Sequence, residues 1–114
     1  MITAAVIAKD EERNILACLE TLAWADERLV LDGGSTDRTR ELVRDVAEVR
    51  LGGRVFDDFA RQRNAAMAMA SHDWVLFVDA DERVTPELAQ EVRDTLAAPE
   101  RYGYYVPRFN HILG

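Results

Sequence analysis

The chain has 114 residues with 14 basic and 21 acidic side chains, a formal net charge of −7, and 48% hydrophobic residues, as expected of one globular domain. Its single cysteine, Cys18, excludes an internal disulfide framework and a cysteine-built zinc site, and its longest apolar runs fall far short of the ~18 residues that span a bilayer. Because these runs are short and the N-terminus lacks a basic-then-apolar signal pattern, we expect a cytoplasmic location. Because the arginines are scattered singly through an acidic chain, we expect no nucleic-acid partner.

Apolar periodicity predicts alternating strands and helices in the first half of the chain. The residues between the second strand and its helix include two adjacent glycines, followed by hydroxyl and carboxylate side chains that can cap a helix. The predicted elements are a strand at 2–8, a helix at 11–24, a strand at 28–31, a helix that starts within 32–37, and two short extended pieces at 49–51 and 54–56, separated by Gly52 and Gly53.

The second half continues the alternation. The predicted elements are a helix at 57–70, a very apolar strand at 74–78 that we expect to be buried on both faces, a helix that starts at Thr85 and Pro86 and ends before Pro99, and an aromatic strand at 102–106. Strands that alternate with helices of this length imply right-handed crossovers and a mostly parallel sheet. We therefore predict a single α/β, Rossmann-like domain over residues 1–114, with helices on both faces of the sheet.

The strongest chemical motif is Asp79-Ala80-Asp81, directly after the most apolar strand. In an extended chain the side chains of Asp79 and Asp81 point the same way, so both carboxylates can face one cation. A site with two carboxylates selects Mg²⁺ or Mn²⁺ and is usually completed by water and substrate phosphates. The alternative is a solvent-exposed acidic turn in which Glu82 and Arg83 pair.

Asp32-Gly33-Gly34-Ser35-Thr36-Asp37 is the second motif. It is neither a dinucleotide fingerprint nor a P-loop, because the G-x-G-x-x-G and G-x-x-x-x-G-K-[ST] patterns are missing. Helix capping alone could explain Ser35, Thr36 and Asp37, whereas Asp32 has no capping duty at the end of a strand. The glycines would let the backbone approach an anionic ligand.

Acidic residues follow three predicted strands: Asp10 or Glu11, then Asp32, then Asp79 with Asp81. Because the carboxyl ends of parallel strands meet at one edge of a sheet, we expect these side chains to converge on a ligand. Arg63, on the third helix, either belongs to a solvated face or reaches toward the ribose or phosphate of a nucleotide.

The order of these motifs resembles family 2 glycosyltransferases of the GT-A fold, and within them the bacterial branch of lipopolysaccharide-core β-1,4-glucosyltransferases. The segments that carry the resemblance are 5–14, 31–39, 62–66, 73–82 and 106–111. The resemblance implies a nucleotide-sugar donor, usually linked to uridine diphosphate (UDP), and inverting sugar transfer to a cell-envelope glycan or lipid acceptor.

The same resemblance implies roles for individual residues. Ala8, Lys9, Asp10 and Glu11 would line the nucleoside pocket. Asp32 would recognise the base, with Arg63 near it. Asp79 and Asp81 would hold the metal, Asp79 also contributing to donor binding. Two positions depart from the family pattern: Gly33 stands where many members have a second aspartate, and Asp10 replaces a common asparagine.

The resemblance also implies a longer protein whose second half supplies the acceptor site and the general base. We therefore expect this chain to be the donor-binding half, truncated at the C-terminus, with its catalytic base unassigned. Further expectations are self-association of the chain and, for a longer form, peripheral association with the inner face of the membrane. Two alternatives stay open: a non-catalytic nucleotide-binding fragment, and a haloacid-dehalogenase-like phosphatase with Asp79 as nucleophile and Asp81 as acid.

Overall fold

Strands and helices alternate throughout residues 1–96, the part of the chain that a computed structural model describes. The elements are β1 Ile2–Ala8, α1 Ile15–Glu20, β2 Glu27–Asp32, α2 Thr39–Arg44, β3 Val49–Gly53, α3 Phe59–Met69, β4 Trp74–Asp79 and α4 Pro86–Leu96. The predicted helix end before Pro99 and the predicted strand at 102–106 lie outside the described residues. None of the helices in residues 1–96 is long and apolar enough to cross a membrane.

The four described strands form one parallel sheet in the order β3-β2-β1-β4. In this register Ala8 of β1 lies opposite Asp32 of β2, and Ile7 of β1 lies opposite Asp79 of β4. The predicted α/β class and parallel sheet are confirmed, and the loops after β1, β2 and β4 emerge at one edge. In chain order, β2 and β3 lie successively on one side of β1, and β4 lies on its other side.

The apolar core lies on both faces of the sheet. On one face α1, α2 and α4 pack against β1, β2 and β4, with Leu19, Val43 and Val92 among the fully buried side chains. On the other face α3 packs through Ala66 against a smaller cluster around Leu29. The prediction of helices on both faces is therefore confirmed, and both faces stabilise the strand ends that carry the acidic residues.

The expectation that β4 is buried on both faces is wrong in part. Val75, Leu76 and Val78 are buried, but Trp74 and Phe77 are only half-buried. The physical reason is position, because β4 is an edge strand of the described sheet, whereas β1 has a neighbouring strand on each side. The inner strand β1 is buried at six of its seven positions.

The predicted break at Gly52 and Gly53 is also wrong, because both glycines lie within β3. The terminal methyl and sulfur of Met69, which folds down from α3, occupy the space that a side chain at Gly52 would take, so a larger residue there would displace the end of Met69. The backbone N–H of Arg54 donates to the carbonyl of Asp32 (2.9 Å), so pairing with β2 continues past the strand end.

α1 ends at Glu20, earlier than the predicted residue 24. The chain leaves the helix where side chains bond to its last carbonyl groups. The Thr21 hydroxyl donates to the Cys18 carbonyl (2.7 Å), and the Trp24 indole N–H donates to the Thr21 carbonyl (2.9 Å). Such local side-chain bonds compete with continued helix.

Candidate functional site

A cleft of about 360 Å³ opens at the carboxyl ends of β1 and β4. These two neighbouring strands flank the point at which the order of the sheet reverses, where ligands bind in open α/β sheets. The volume is within the range of small-molecule sites. The lining residues are Ile7, Ala8, Lys9, Glu11, Phe56, Phe59, Asp79, Ala80 and Asp81.

One wall of the cleft is acidic. Asp79 ends β4 and Asp81 comes two residues after it, and both side chains are exposed to the cleft. The backbone N–H of Asp79 donates to Oε1 of Glu82 (3.1 Å), which holds the turn in place. Burial raises the pKa of Glu82, the hydrogen bond from the Asp79 amide opposes this rise, and the charges of Asp79 and Asp81 add to it. Negative charge is therefore concentrated at this wall.

The donor set at this wall fits a cation only in part. Within residues 1–96, no group of three or more His, Cys, Asp or Glu side chains is arranged to hold a metal ion. Asp79 and Asp81 supply at most two carboxylates, which suits a Mg²⁺ or Mn²⁺ ion whose remaining ligands are water and phosphate oxygens. These two residues would hold such an ion, which would neutralise charge on a bound diphosphate.

The other wall is aromatic. Phe56 and Phe59 meet edge to face, with ring centroids 5.2 Å apart and an angle of 84° between the rings. The backbone N–H of Phe56 donates to the carbonyl of Gly33 (3.1 Å), which fixes Phe56 beside the end of β2. A Cβ atom on Gly33 would lie only 3.2 Å from Cβ of Phe56, so the bare glycine makes room for this wall.

The loop after β1 is fastened to the loop after β2 by reciprocal hydrogen bonds. Asp10 has a backbone φ of 55°, and its Oδ1 accepts from the backbone N–H of Thr36 (2.7 Å) and of Asp37 (3.3 Å). In return, the N–H of Asp10 donates to the Ser35 hydroxyl (2.8 Å) and that of Glu11 to the Thr39 hydroxyl (2.9 Å). These bonds position the backbone that carries Lys9 and Glu11 into the cleft.

Asp32 lies beneath this loop pair and is only 1% exposed. Its Oδ2 accepts from the backbone N–H of Gly34 (3.0 Å) and Ser35 (2.9 Å), its Oδ1 accepts from the Ser35 hydroxyl, and Arg40 Nε lies 3.7 Å from Oδ2. Asp32 does not cap α2, whose N-cap is Arg38, but it has a structural role in its own turn. It organises the glycine turn in the manner of an Asx turn, and its predicted contact with a base stays a prediction.

Arg63 is exposed on α3, with its guanidinium carbon 4.6 Å from the ring centroid of Phe77 on β4. This cation–π contact lies on the α3 face of the sheet, outside the residues that line the cleft. Its predicted position near the base stays a prediction.

The structure thus brings together five of the predicted site residues, namely Ala8, Lys9, Glu11, Asp79 and Asp81. Asp10 and Asp32 hold the loops beside the cleft without lining it, and Arg63 lies on the α3 face of the sheet against Phe77. Sequence reasoning missed Phe56 and Phe59. The available signal was their position on either side of the acidic pair 57–58 at the start of a helix.

The sequence is similar to those of known proteins. The family model described as glycosyl transferase family 2 matches residues 3–114. A TPR repeat-containing protein of Synechococcus elongatus is 36% identical over 94% of this chain and 27% of its own length. The lipopolysaccharide core biosynthesis glycosyltransferase LpsC of Rhizobium meliloti is 30% identical over 99% of this chain and 44% of its own. The chain therefore spans between about a quarter and a half of the length of these curated relatives.

Solved structures show the same fold. The crystal structure of S. aureus TarS 1–349 superposes with a TM-score of 0.71 at 25% identity, over 84% of this chain and 32% of that one. Glucosyl-3-phosphoglycerate synthase from Mycobacterium tuberculosis, crystallised with Mn²⁺, UDP and glucosyl-3-phosphoglycerate, gives a TM-score of 0.64 at 23% identity, over 85% and 38%. The family model matches nearly the whole chain, and the parallel sheet agrees with the fold of these structures. The chain therefore belongs to glycosyl transferase family 2.

Proposed function

We propose that this chain binds a nucleoside diphosphate sugar, with a divalent cation held between Asp79, Asp81 and the diphosphate. The observation that carries the proposal is the cleft at the β1/β4 reversal point, whose acidic wall offers two exposed carboxylates. A diphosphate beside two carboxylates in a net-negative chain is repelled by them, and a cation between the two removes this repulsion. The proposal therefore requires nucleotide and metal to bind together.

UDP is the proposed nucleotide and Mg²⁺ or Mn²⁺ the proposed ion. The fold relative crystallised with Mn²⁺ and UDP supports this combination only through its fold. In this chain Ala8, Lys9 and Glu11 would line the nucleoside side, with Asp10 and Asp32 holding their loops in place and Arg63 approaching from α3. The Lys9 ammonium is the basic group that lines the cleft among residues 1–96, so it is placed to offset phosphate charge.

The proposed reaction is inverting transfer of the sugar to a glycan or lipid acceptor of the cell envelope, at the cytoplasmic side. The similarity to LpsC supports an acceptor in the lipopolysaccharide core. Family membership leaves the phosphatase alternative without support. Whether the chain transfers sugar or only binds the donor depends on a general base that must reach the acceptor hydroxyl.

Isothermal titration with UDP tests the proposal, in the presence of Mn²⁺, of Mg²⁺ or of EDTA. We expect binding with either metal and a large loss of affinity in EDTA. Asp81→Asn keeps the shape of the side chain but removes a charged oxygen ligand, and it should weaken metal-dependent binding by about tenfold or more.

Asp94→Asn is the matched control, because Asp94 is an exposed aspartate on α4 that bonds to Gln90 of the same helix (2.8 Å). It should bind UDP as the parent chain does. Absence of UDP binding with both metals would contradict the proposed function. Equal affinity in parent and Asp81→Asn would remove Asp81 from the site.

A further inference from the structure

We propose that Phe56 and Phe59 form the surface on which the heterocyclic base of the nucleotide stacks. This inference rests on the proposed function and adds to it the position of the base within the cleft. It assigns a binding role to two residues of the β3–α3 connection.

The position of the aromatic wall relative to the acidic wall supports the base as its ligand. Phe56 is fixed beside Gly33 at the end of β2, whereas Asp79 ends β4, and β1 lies between these two strands. Two strand spacings separate the walls by about 10 Å. In a nucleoside diphosphate sugar the transferred sugar is bonded directly to the phosphate beside the cation. The base is separated from that phosphate by a ribose and a second phosphate, so the base is the ring that reaches the far wall.

The exposure of the Phe59 ring also points to a ligand, whereas Phe56 is half-buried. Phe59 lines the cleft and contacts the ring of Phe56, but 62% of its surface is still exposed to solvent. An apolar ring of this size gains free energy when a flat ligand removes it from water. The edge-to-face contact holds the two rings at 84° to each other, and most of Phe59 stays exposed to solvent.

The polar groups near this wall are engaged in the loops themselves. Both oxygens of Asp32 accept hydrogen bonds from Gly34 and Ser35 of their own turn. Asp10, in the loop after β1, bonds to Thr36 and Asp37. Because Asp32 and Asp10 are engaged in this way, stacking on the phenylalanines is the contact that we assign to the base.

Binding of UDP with Mn²⁺ to the 114-residue chain tests the inference, measured by titration and by saturation-transfer NMR of the ligand. Phe59→Ala should weaken UDP binding by about tenfold, which corresponds to the loss of one base–aromatic stack. Phe59→Tyr retains the ring and should bind as the parent does. Because Phe59 is exposed, neither change should prevent folding, and circular dichroism verifies this.

Met67→Ala is the matched control, since Met67 is 53% exposed on the same helix, two turns from Phe59 and outside the cleft. In the parent chain the uracil protons should receive the strongest saturation from the protein, and Phe59→Ala should reduce it selectively. If the parent binds UDP but Phe59→Ala binds within twofold of it, or if the base protons receive no more saturation than those of ribose, the inference is overturned while the proposed function stands. If the parent chain binds no UDP with Mn²⁺, both fail.

Discussion

Asp10 shows how one residue can serve the site without lining it. It adopts a left-handed backbone conformation, with φ of 55°, and uses a single carboxylate oxygen to accept from two backbone amides of the next loop. Asp and Asn tolerate this conformation better than other residues with side chains. The residue therefore combines a backbone requirement with an acceptor requirement.

Substitutions at Asp10 separate these two requirements. Asp10→Asn retains both and should unfold in urea like the parent chain. Asp10→Gly retains only the backbone freedom and should lose about 1 kcal/mol of unfolding free energy, while Asp10→Ala loses both and should cost about 2 kcal/mol. If Asp10→Asn were as unstable as Asp10→Ala, the charge of the carboxylate and not its geometry would hold the loops together.

At the scale of elements, Glu27 connects the strands at the edge opposite the cleft. Its carboxylate lies at the start of β2 and accepts from the Thr3 hydroxyl of β1 (2.7 Å), from Arg50 of β3 (2.8 Å), and from the N–H and hydroxyl of Ser71 before β4 (both 2.8 Å). One side chain thus contacts all four described strands or their immediate flanks. Burial would raise the pKa of Glu27, but the hydrogen bonds from Ser71, Arg50 and Thr3 outweigh it and lower the pKa from 4.5 to about 2.

This lowered pKa predicts acid sensitivity. Because the folded state binds the proton less readily than the unfolded chain does, Glu27 contributes its full stabilisation above about pH 4.5 and loses it as the pH falls toward about 2. Glu27→Gln should cost about 2 kcal/mol at pH 7 and should flatten the pH dependence of the unfolding free energy in that window. Urea unfolding at a series of pH values measures both.

Glu20→Gln provides the control, since Glu20 is an exposed glutamate at the end of α1. Its unfolding curves should keep the pH dependence of the parent chain. A Glu27→Gln chain with an unchanged slope between pH 4.5 and pH 2 would contradict the role of the carboxylate.

For the whole molecule, sequence patterns predict the strands and the acidic residues at their ends better than the contacts made across the sheet. The bounds of β1 and β4 are predictable to within one residue because a charged residue ends each apolar run, and the meeting of Glu11 with Asp79 and Asp81 follows from parallel topology alone. Phe56 cannot be placed in the same way. Its position depends on the absence of a side chain at Gly33, which is a matter of three-dimensional packing.

The inward or outward direction of polar side chains is equally hard to predict. The position of Asp32 at a strand end favours a ligand-facing carboxylate, but the side chain turns into its own loop, where two amides and a hydroxyl satisfy it. A carboxylate at a strand end can bond to the turn or to a ligand, and the local sequence allows both. Similarly, a glycine such as Gly52 is typical of the end of a strand, yet it lies within β3 beneath Met69.

Cys18 offers a readout of the cooperativity of the entire domain. Its thiol is fully buried between α1 and β4, where the sulfur lies 3.6 Å from the carbonyl oxygen of Asp79, and burial raises its pKa from 9.0 to about 12.

Because the thiolate is the reactive form, a disulfide reagent at pH 8 should modify Cys18 only when the core opens. Labelling should be about a thousandfold slower than in the urea-unfolded chain or slower still, and its urea dependence should match that of global unfolding. A Cys18→Ala chain that also carries Ala23→Cys, at an exposed position beyond α1, should label at the unfolded rate. Fast labelling of Cys18 at a rate independent of urea would contradict this prediction. It would mean that α1 opens locally, so that α1 and the end of β4 do not unfold as one cooperative unit.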